Sequence, residues 1–505
     1  MNAMLQRIHA HAGPPAWPLH GLARTREIEA AALQAVPPFT LMQRAGDAVA
    51  RLARALAPHT RRAWVAVGPG NNGGDGLVAA IALRRIGIET FVTLAGEPSR
   101  LRGDAKQAHA LALAEDLQWV EQPPLGFGRS GDIALDALLG IGASRAPEGA
   151  LAALIERLNA LACPVLAIDV PSGLDADTGQ PHGDACVTAT HTLSLLTLKP
   201  GLFTGQGRDR CGKVWLETLG VDIDPGSVDA SLGAAPPAAG WQRAHAQHKG
   251  SFGDLVVIGG APGMAGAALL AARAGHAAGA GRTYLSWLDE TGPALDGEHP
   301  ELMIRRALWK DDLLREATVV CGCGGGAAVR AVLPRVIGQA ARLVLDADAL
   351  NAIAADTGLR QLLIARGRGG RPAVLTPHPL EAARLLGRDT ASVQADRLRA
   401  AQALADELRA IVLLKGSGSV IAAPGGAPII NPTGNAALAT AGTGDVLAGW
   451  LGGRWSTSHA ASIDDARQAA SAAAWQHGRA ADLSPTTPLR ASDLIAALHA
   501  QLRRG

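Results

Sequence analysis

The sequence predicts an α/β fold in two domains, and three observations carry that reading. The chain has 505 residues, too many for one hydrophobic core and suited to two α/β domains of a little over ~200 residues each. Apolar strand-like runs ending in glycine or polar loops alternate with alanine-rich helical runs, the order that builds a helix-covered parallel sheet. Over residues 226–244 that alternation stops, and GSVDASLGAAPPAAG, rich in Ala, Gly, Pro and Ser without sustained period, reads as a linker. Domains are therefore expected at 20–225 and 245–500.

The first domain opens with helices over residues 24–57, where LMQRAGDAVARLARALA places apolar residues at three- and four-residue spacing. AWVAVGPG then reads as a strand, NNGGDG as a tight loop and LVAAIALRRIG as a helix, the Rossmann-like order that puts the loop at the carboxyl edge of a parallel sheet. The spacing is not GxGxxG, so no standard dinucleotide fingerprint is present. ETFVTLAG, DIALDALLG and CPVLAIDV continue as strands, with helices at AKQAHALALAE and ALAALIERLNAL between them. Two of these strands deliver Asp136 and Asp169 to the edge that carries NNGGDG. Asp75, Asp136, Asp169 and Ser172 thus converge on one crevice, where oxygen groups of Asn72, Asp136 and Ser172 would suit a hard cation; singly, each reads as a turn or cap residue. DADTG, Asp175 to Gly179, lacks the remaining ligand positions of a calcium loop and reads as a turn.

In the second domain HKGSFGDLVVIGG restarts a strand and turn, and GMAGAALLAARAGHAAGAG supplies a helix able to pack closely on a sheet. VVCGCGGG, RLVLDADAL, AVLTPHPLEAARLL and AIVLLKGSGSVI each join a buried strand to a polar or glycine loop, which implies a second parallel sheet. Lys415 to Ser419, KGSGS, can wrap a phosphate with its cation and amides, although it is no Walker A loop. Within Asn431 to Gly449, AGTGD runs into a helix whose free N–H groups and dipole favour an anion. Asp445 at that start can take a proton from an attacking hydroxyl, or simply cap the helix. His378 in TPHP orients a substrate or is structural, and Asp346 and Asp348 assist a metal or cap the next helix. Cys321 and Cys323 flank a glycine and read as a small-residue loop without metal or redox chemistry.

Composition narrows the partners. Lys plus Arg (47) nearly balances Asp plus Glu (45), so there is no electrostatic case for nucleic acid or a membrane surface. The five cysteines lack paired CxxC spacing, which disfavours a disulfide framework or zinc site and fits a reducing cytoplasm. No apolar run reaches spanning length, the 261–281 region being broken by Arg273 and His276, and the N-terminus lacks the order of a secretion signal.

GPGNNGGDG, DALLG and DVPSGLDADTG, in that order and spacing, resemble the NAD(P)H-hydrate epimerases over most of 20–225. The resemblance implies that Asn71, Asn72, Gly73, Gly74 and Asp75, the loop Gly140, Ile141, Gly142, Ala143, Ser144, Arg145 and Ala146, and Asp169 meet a hydrated nicotinamide nucleotide, NADHX or NADPHX. It also implies K+ at Asn72, Asp136 and Ser172. Gln43 stands where that family usually has Glu, and GIGASRA replaces GTGLSR. Inverting the hydroxyl-bearing C6 needs acid–base help, for which Asp169 is the candidate.

KGSFG, GMAGAALLA, PELM, DADAL, LTPHPLE, KGSGSVI and GNAALATAGTGDVLAG resemble, as an ordered set over 245–500, the ribokinase-like NAD(P)HX dehydratases. That likeness implies ADP or ATP with Mg2+ at Lys415, Gly416, Ser417, Gly418 and Ser419 and at Asn435, Ala436, Ala437, Leu438, Ala439, Thr440, Ala441, Gly442, Thr443 and Gly444. It implies hydrate contacts from Ala267, Gly324, His378, Pro379, Leu380, Glu381 and Asp445. Leu380 replaces a usual glycine, Ala436 and Ala437 replace proline and glycine, and CGCGGG replaces GPGLG; a positive φ required at Ala437 would weaken nucleotide binding. The expectation is a fused enzyme, cytoplasmic and homo-oligomeric, that epimerises the hydrates and dehydrates the S form through phosphorylation of its C6 hydroxyl. A ribokinase-like vitamin or sugar kinase and a non-catalytic nucleotide sensor stand as alternatives.

Overall fold

The computed structural model describes residues 5–9, 16–224, 226, 228–237, 245–458, 461–485 and 488–502. The chain separates into two compact units, the first ending at Ala230 and the second taking over at Ser231. The stretch read as a linker carries the short strand Ala230–Leu232. Ser231 and Leu232 pair in parallel with Ile429 and Ile430, because backbone groups along an open sheet edge are satisfied by a further strand even where no amphipathic pattern announces one. Most of the remaining Ala/Pro-rich stretch, 238–244, lies outside the described residues.

The first unit holds an 8-stranded sheet. Its order is Gln6–Arg7, Lys213–Glu217, His191–Leu195, Val165–Ile168, Asp132–Ala137, Arg62–Val67, Glu89–Leu94 and Gln118–Trp119, all parallel except the first. The chain reverses direction across the sheet between Arg62–Val67 and Asp132–Ala137, and that switch opens a crevice at their carboxyl ends. NNGGDG is not the loop its glycines suggest: the helix Asn71–Arg85 begins with it. Close packing, not backbone freedom, explains the glycines. A Cβ on Gly73 would strike the Gly68 carbonyl, one on Gly74 the Met42 side chain, and one on Gly76 Ala137. The helix Thr40–Leu56 buries Leu41, Met42, Ala45, Ala48, Val49 and Leu52, the stripe its spacing predicts.

The second unit's strands run Met303–Ile304, Arg282–Trp287, Asp254–Gly259, Thr318–Cys321, Arg342–Leu345, Ala373–Leu375 and Ile411–Leu414, all parallel. Val420–Ala422 and Ile429–Ile430 then continue the sheet antiparallel. The helix Thr443–Ser456 lies across one face with Trp450 and Trp455 fully buried. It approaches the helix Ala265–Ala277 so closely that a Cβ on Gly449 would strike the Ala271 carbonyl, and one on Gly453 the Gly275 carbonyl. Glycines four apart leave a groove into which the neighbouring backbone settles.

Candidate active sites

In the first unit a cleft of about 590 Å³ opens at the carboxyl edge of the sheet. Asn71, Asn72, Asp75, Asp169 and all of Gly140 to Ala146 line it. Gly73 and Gly74 do not: Gly73 packs on the Gly68 backbone and Gly74 on the Met42 side chain. Asp136 is wholly buried beneath the cleft. Its Oδ1 accepts from Ser172 Oγ at 2.5 Å and its Oδ2 from the Ser172 amide at 2.8 Å, while burial pushes its carboxyl up to about 6. Ser172 Oγ also accepts from the Leu139 amide at 2.8 Å. Asn72 packs against neighbouring Gly140, and both polar atoms of its buried amide lack a protein partner.

Asp169 follows the strand Val165–Ile168 with φ +69°, a conformation that non-glycine residues rarely adopt and that clusters at functional sites. The Lys199 ammonium, from a fully buried side chain, donates to Asp169 Oδ1 and to the Leu195 carbonyl at 2.7 Å. The Ile141 amide donates to Asp169 Oδ2 at 3.4 Å, tying the 140–146 loop to the carboxylate. Burial, followed by the charges of Asp169, Glu29 and Asp104, pushes the Asp75 carboxyl well above the usual range. Glu29 is raised by burial and by Asp169 as well.

Lys199, Glu29 and Arg26 line this cleft and were not anticipated. The signal for Lys199 was a single cation closing the apolar run HTLSLLTLK, where a buried ammonium demands a carboxylate partner. DADTG is the expected turn, with Asp175 Oδ1 accepting from the amides of Asp177 and Thr178 at 3.0 and 2.8 Å.

In the second unit the strand ends and the start of the helix Thr443–Ser456 bring together groups from four loops. Lys415 Nζ donates to Asp346 Oδ1 at 2.7 Å and stands 3.4 Å from where a Cβ on Gly444 would lie. Burial opposes the Lys415 charge, but Asp346 and Glu381 outweigh it and raise the ammonium's pKa. Asp445 occupies the first helical turn. Burial, then Asp346, push its carboxyl up to about 6, against the lowering effect of the Cys323 thiol and of Lys415. Cys323 Sγ and single carboxylate oxygens of Asp346 and Asp445 lie within 4.8 Å of one another. The glycine turn is thus more than a spacer, its thiol meeting partners from loops remote in sequence. Asp348, at the start of the helix Asp348–Ala355, accepts from the Gly326 amide at 2.8 Å.

Gly416 and Gly418 take φ +145° and +61°, and buried Arg397 pins the entrance to their loop by donating to the carbonyls of Leu414 and Lys415 at 3.3 and 3.2 Å. Ser419 Oγ accepts from the Gly416 amide at 3.3 Å. In the stretch Asn435 to Gly444, Asn435 Oδ1 caps the short turn Ala436–Leu438 by accepting from the Ala437 amide at 2.9 Å. The positive φ angles fall on Gly434 (+97°) and Gly442 (+88°), not on Ala436 or Ala437, so alanine strains nothing here. Thr443 Oγ1 closes the loop on the carbonyls of Leu438 and Thr440 at 2.8 and 2.9 Å. Gly324, at φ +58°, stands beside Ala267. His378 caps the helix Pro379–Leu386: its Nδ1 accepts from the amides of Leu380 and Glu381, and Glu381 Oε2 accepts from the His378 amide at 2.8 Å. Leu380 is exposed, whereas buried Glu381 is pushed up to about 7 by burial.

Comparison with known proteins agrees with this division. Residues 38–201 match the family described as YjeF-related protein N-terminus, and 255–502 match NAD(P)H-hydrate dehydratase. A bifunctional NAD(P)H-hydrate repair enzyme Nnr of Coxiella burnetii is 36% identical over 444 residues, covering 85% of this chain and 88% of that protein. The Leishmania braziliensis bifunctional NAD(P)H-hydrate repair enzyme is 36% identical over 536 residues, 98% of this chain and 94% of its own. Among solved structures, the ADP/ATP-dependent NAD(P)H-hydrate dehydratase of Bacillus subtilis co-crystallised with ATP/Mg2+ superposes with TM-score 0.43 at 28% identity, over 52% of this chain and 93% of that one. With both family matches in chain order and relatives of similar length aligned across both units, the chain belongs to the bifunctional NAD(P)H-hydrate repair enzymes.

Proposed function

We propose that the first unit interconverts the R and S hydrates NADHX and NADPHX at the Asp169 cleft, and that the second dehydrates the S form at Asp445 using ADP or ATP. The observation that carries this reading is a carboxyl group in each unit, at a sheet's carboxyl edge, in an environment suited to proton transfer. In the first cleft, inversion at C6 requires the C6–O bond to break as its oxygen gains a proton and leaves as water, and a new C6–O bond to form on the opposite face from a water that gives up a proton. Asp75, raised by burial and neighbouring carboxylates, is suited to give; Asp169, paired with Lys199, is suited to take.

The orphaned buried amide of Asn72 beside the Asp136–Ser172 pair supports K+ at that corner, where the ion would join the oxygens of all three residues. It would supply fixed positive charge, and Asp136 and Ser172 would hold the 138–140 turn against the substrate.

In the second site, loops Lys415 to Ser419 and Asn435 to Gly444 hold the nucleotide, and Ala267, Gly324, Glu381 and Asp445 face the hydrate. Asp445 takes the C6 hydroxyl proton as that oxygen bonds to the transferred phosphorus and the nucleotide's own P–O bond breaks. The amides opening the Thr443 helix stabilise the phosphoryl charge. Phosphate then leaves C6 with its bonding electrons while C5 loses a proton, a far easier elimination than loss of hydroxide. Lys415 engages Asp346 Oδ1 and the Gly326 amide engages Asp348 Oδ2; Mg2+ would accompany the nucleotide phosphates and supply positive charge there. Five buried free cysteines support a reducing compartment, the cytoplasm, and no described helix is long and apolar enough to cross a membrane.

The test incubates the protein with mixed NADHX epimers plus ADP or ATP and follows NADH absorbance. Recovery of both epimers faster than spontaneous epimerisation is expected. Recovery of the S portion alone at that slow background would remove the epimerase, and no recovery would favour a small-molecule kinase or a sensor.

A further inference from the structure

Cys323 takes no part in the steps above, yet its position is tightly specified. It stands between Gly322 at φ +122° and Gly324 at φ +58°. Its carbonyl accepts from the Gly260 amide at 3.0 Å, and its side chain is wholly buried in the core beneath the site. From there Sγ reaches within 4.8 Å of carboxylate oxygens of both Asp346 and Asp445. The thiol and the Asp445 carboxylate thus face each other on the core side of the site, and burial keeps water from competing for that carboxylate.

Asp346 and Asp348 repel the negative charge of Asp445, and the Lys415 ammonium, which attracts it, is shared with Asp346 and Glu381. His477 lies behind the helix start, bonded to the Thr443 carbonyl at 2.9 Å and held neutral by burial, its pKa lowered to about 4. A neutral donor on the core side therefore has a task that the cation alone does not complete.

We propose that Cys323 is a positioning residue for Asp445, its thiol aiming the carboxylate at the substrate hydroxyl and stabilising its charge. This rests on Asp445 being the base. A donor at that place draws the Asp445 carboxyl down against burial, so its loss leaves less ionised base under mildly acidic conditions.

The experiment compares wild type, Cys323→Ala, Cys323→Ser and Asp445→Asn, measuring kcat and KM for S-NADHX dehydration with saturating ATP from pH 5 to 9. Thermal melting and ATP binding verify that each variant is folded. For Cys323→Ala the acidic limb is expected to move up by about half to one pH unit, lowering the rate about two- to six-fold at pH 6 with little change at pH 8.5. Cys323→Ser, which keeps a donor, should recover much of the shift. An Ala limb coincident with wild type, or equal losses in Ala and Ser at every pH, overturns the proposal while Asp445→Asn remains inactive. An active Asp445→Asn instead removes the base assignment, and the inference with it.

Discussion

Lys199 and Asp169 show how much of the first site depends on one buried pair. A fully buried lysine is stable only beside an opposite charge, and stranding either partner costs about 3–5 kcal/mol. Lys199→Met should therefore lower the thermal midpoint and slow epimerisation, through Asp169, by roughly a hundredfold or more. Lys199→Arg, with a planar head unsuited to the Leu195 carbonyl and Asp169 together, should recover charge but little rate. A Lys199→Met protein with wild-type epimerisation would dismiss the pair from the reaction. Asp169 was legible in the sequence as a carboxylate ending an apolar strand. Lys199 was not, because its partner lies thirty residues earlier (|i−j| = 30) and only the sheet joins them.

At the scale of elements, strands and helices were legible from periodicity, but the purpose of the glycines was not. NNGGDG reads as a loop from composition and is a helix start, since Gly73 and Gly74 make room for Gly68 and Met42. The same reasoning applies to Gly453, whose missing Cβ admits the Gly275 carbonyl. Gly453→Ala should cost about 1–3 kcal/mol by overpacking, outweighing the ~1 kcal/mol that alanine adds in helix propensity. It should also weaken dehydration by displacing the helix that presents Asp445. Gly338→Ala, in the exposed part of the helix Val329–Gln339 with nothing near its Cβ, serves as the control and should be neutral or slightly stabilising. Urea denaturation of both variants decides the matter; equal midpoints would mean that the two helices have room to separate.

For the whole molecule, two compact units, each with its own candidate site, imply separable chemistry. Asp169→Asn should slow epimerisation by about 10²–10⁴ while dehydrating pure S-NADHX at the wild-type rate. Asp445→Asn should still bind nucleotide and epimerise but return no NADH. Loss of both activities in either single variant would contradict that independence. The sequence by itself determined the two-domain α/β plan, the edges that carry chemistry and the family, because these follow from local periodicity and from ordered motifs. Only the tertiary structure decided that Lys199 pairs with Asp169, that Cys323 meets Asp346 and Asp445, and that Ala436 and Ala437 sit without strain between Gly434 and Gly442. Long-range pairing and backbone dihedrals arise when strands distant in the chain align, and local pattern carries no record of that alignment.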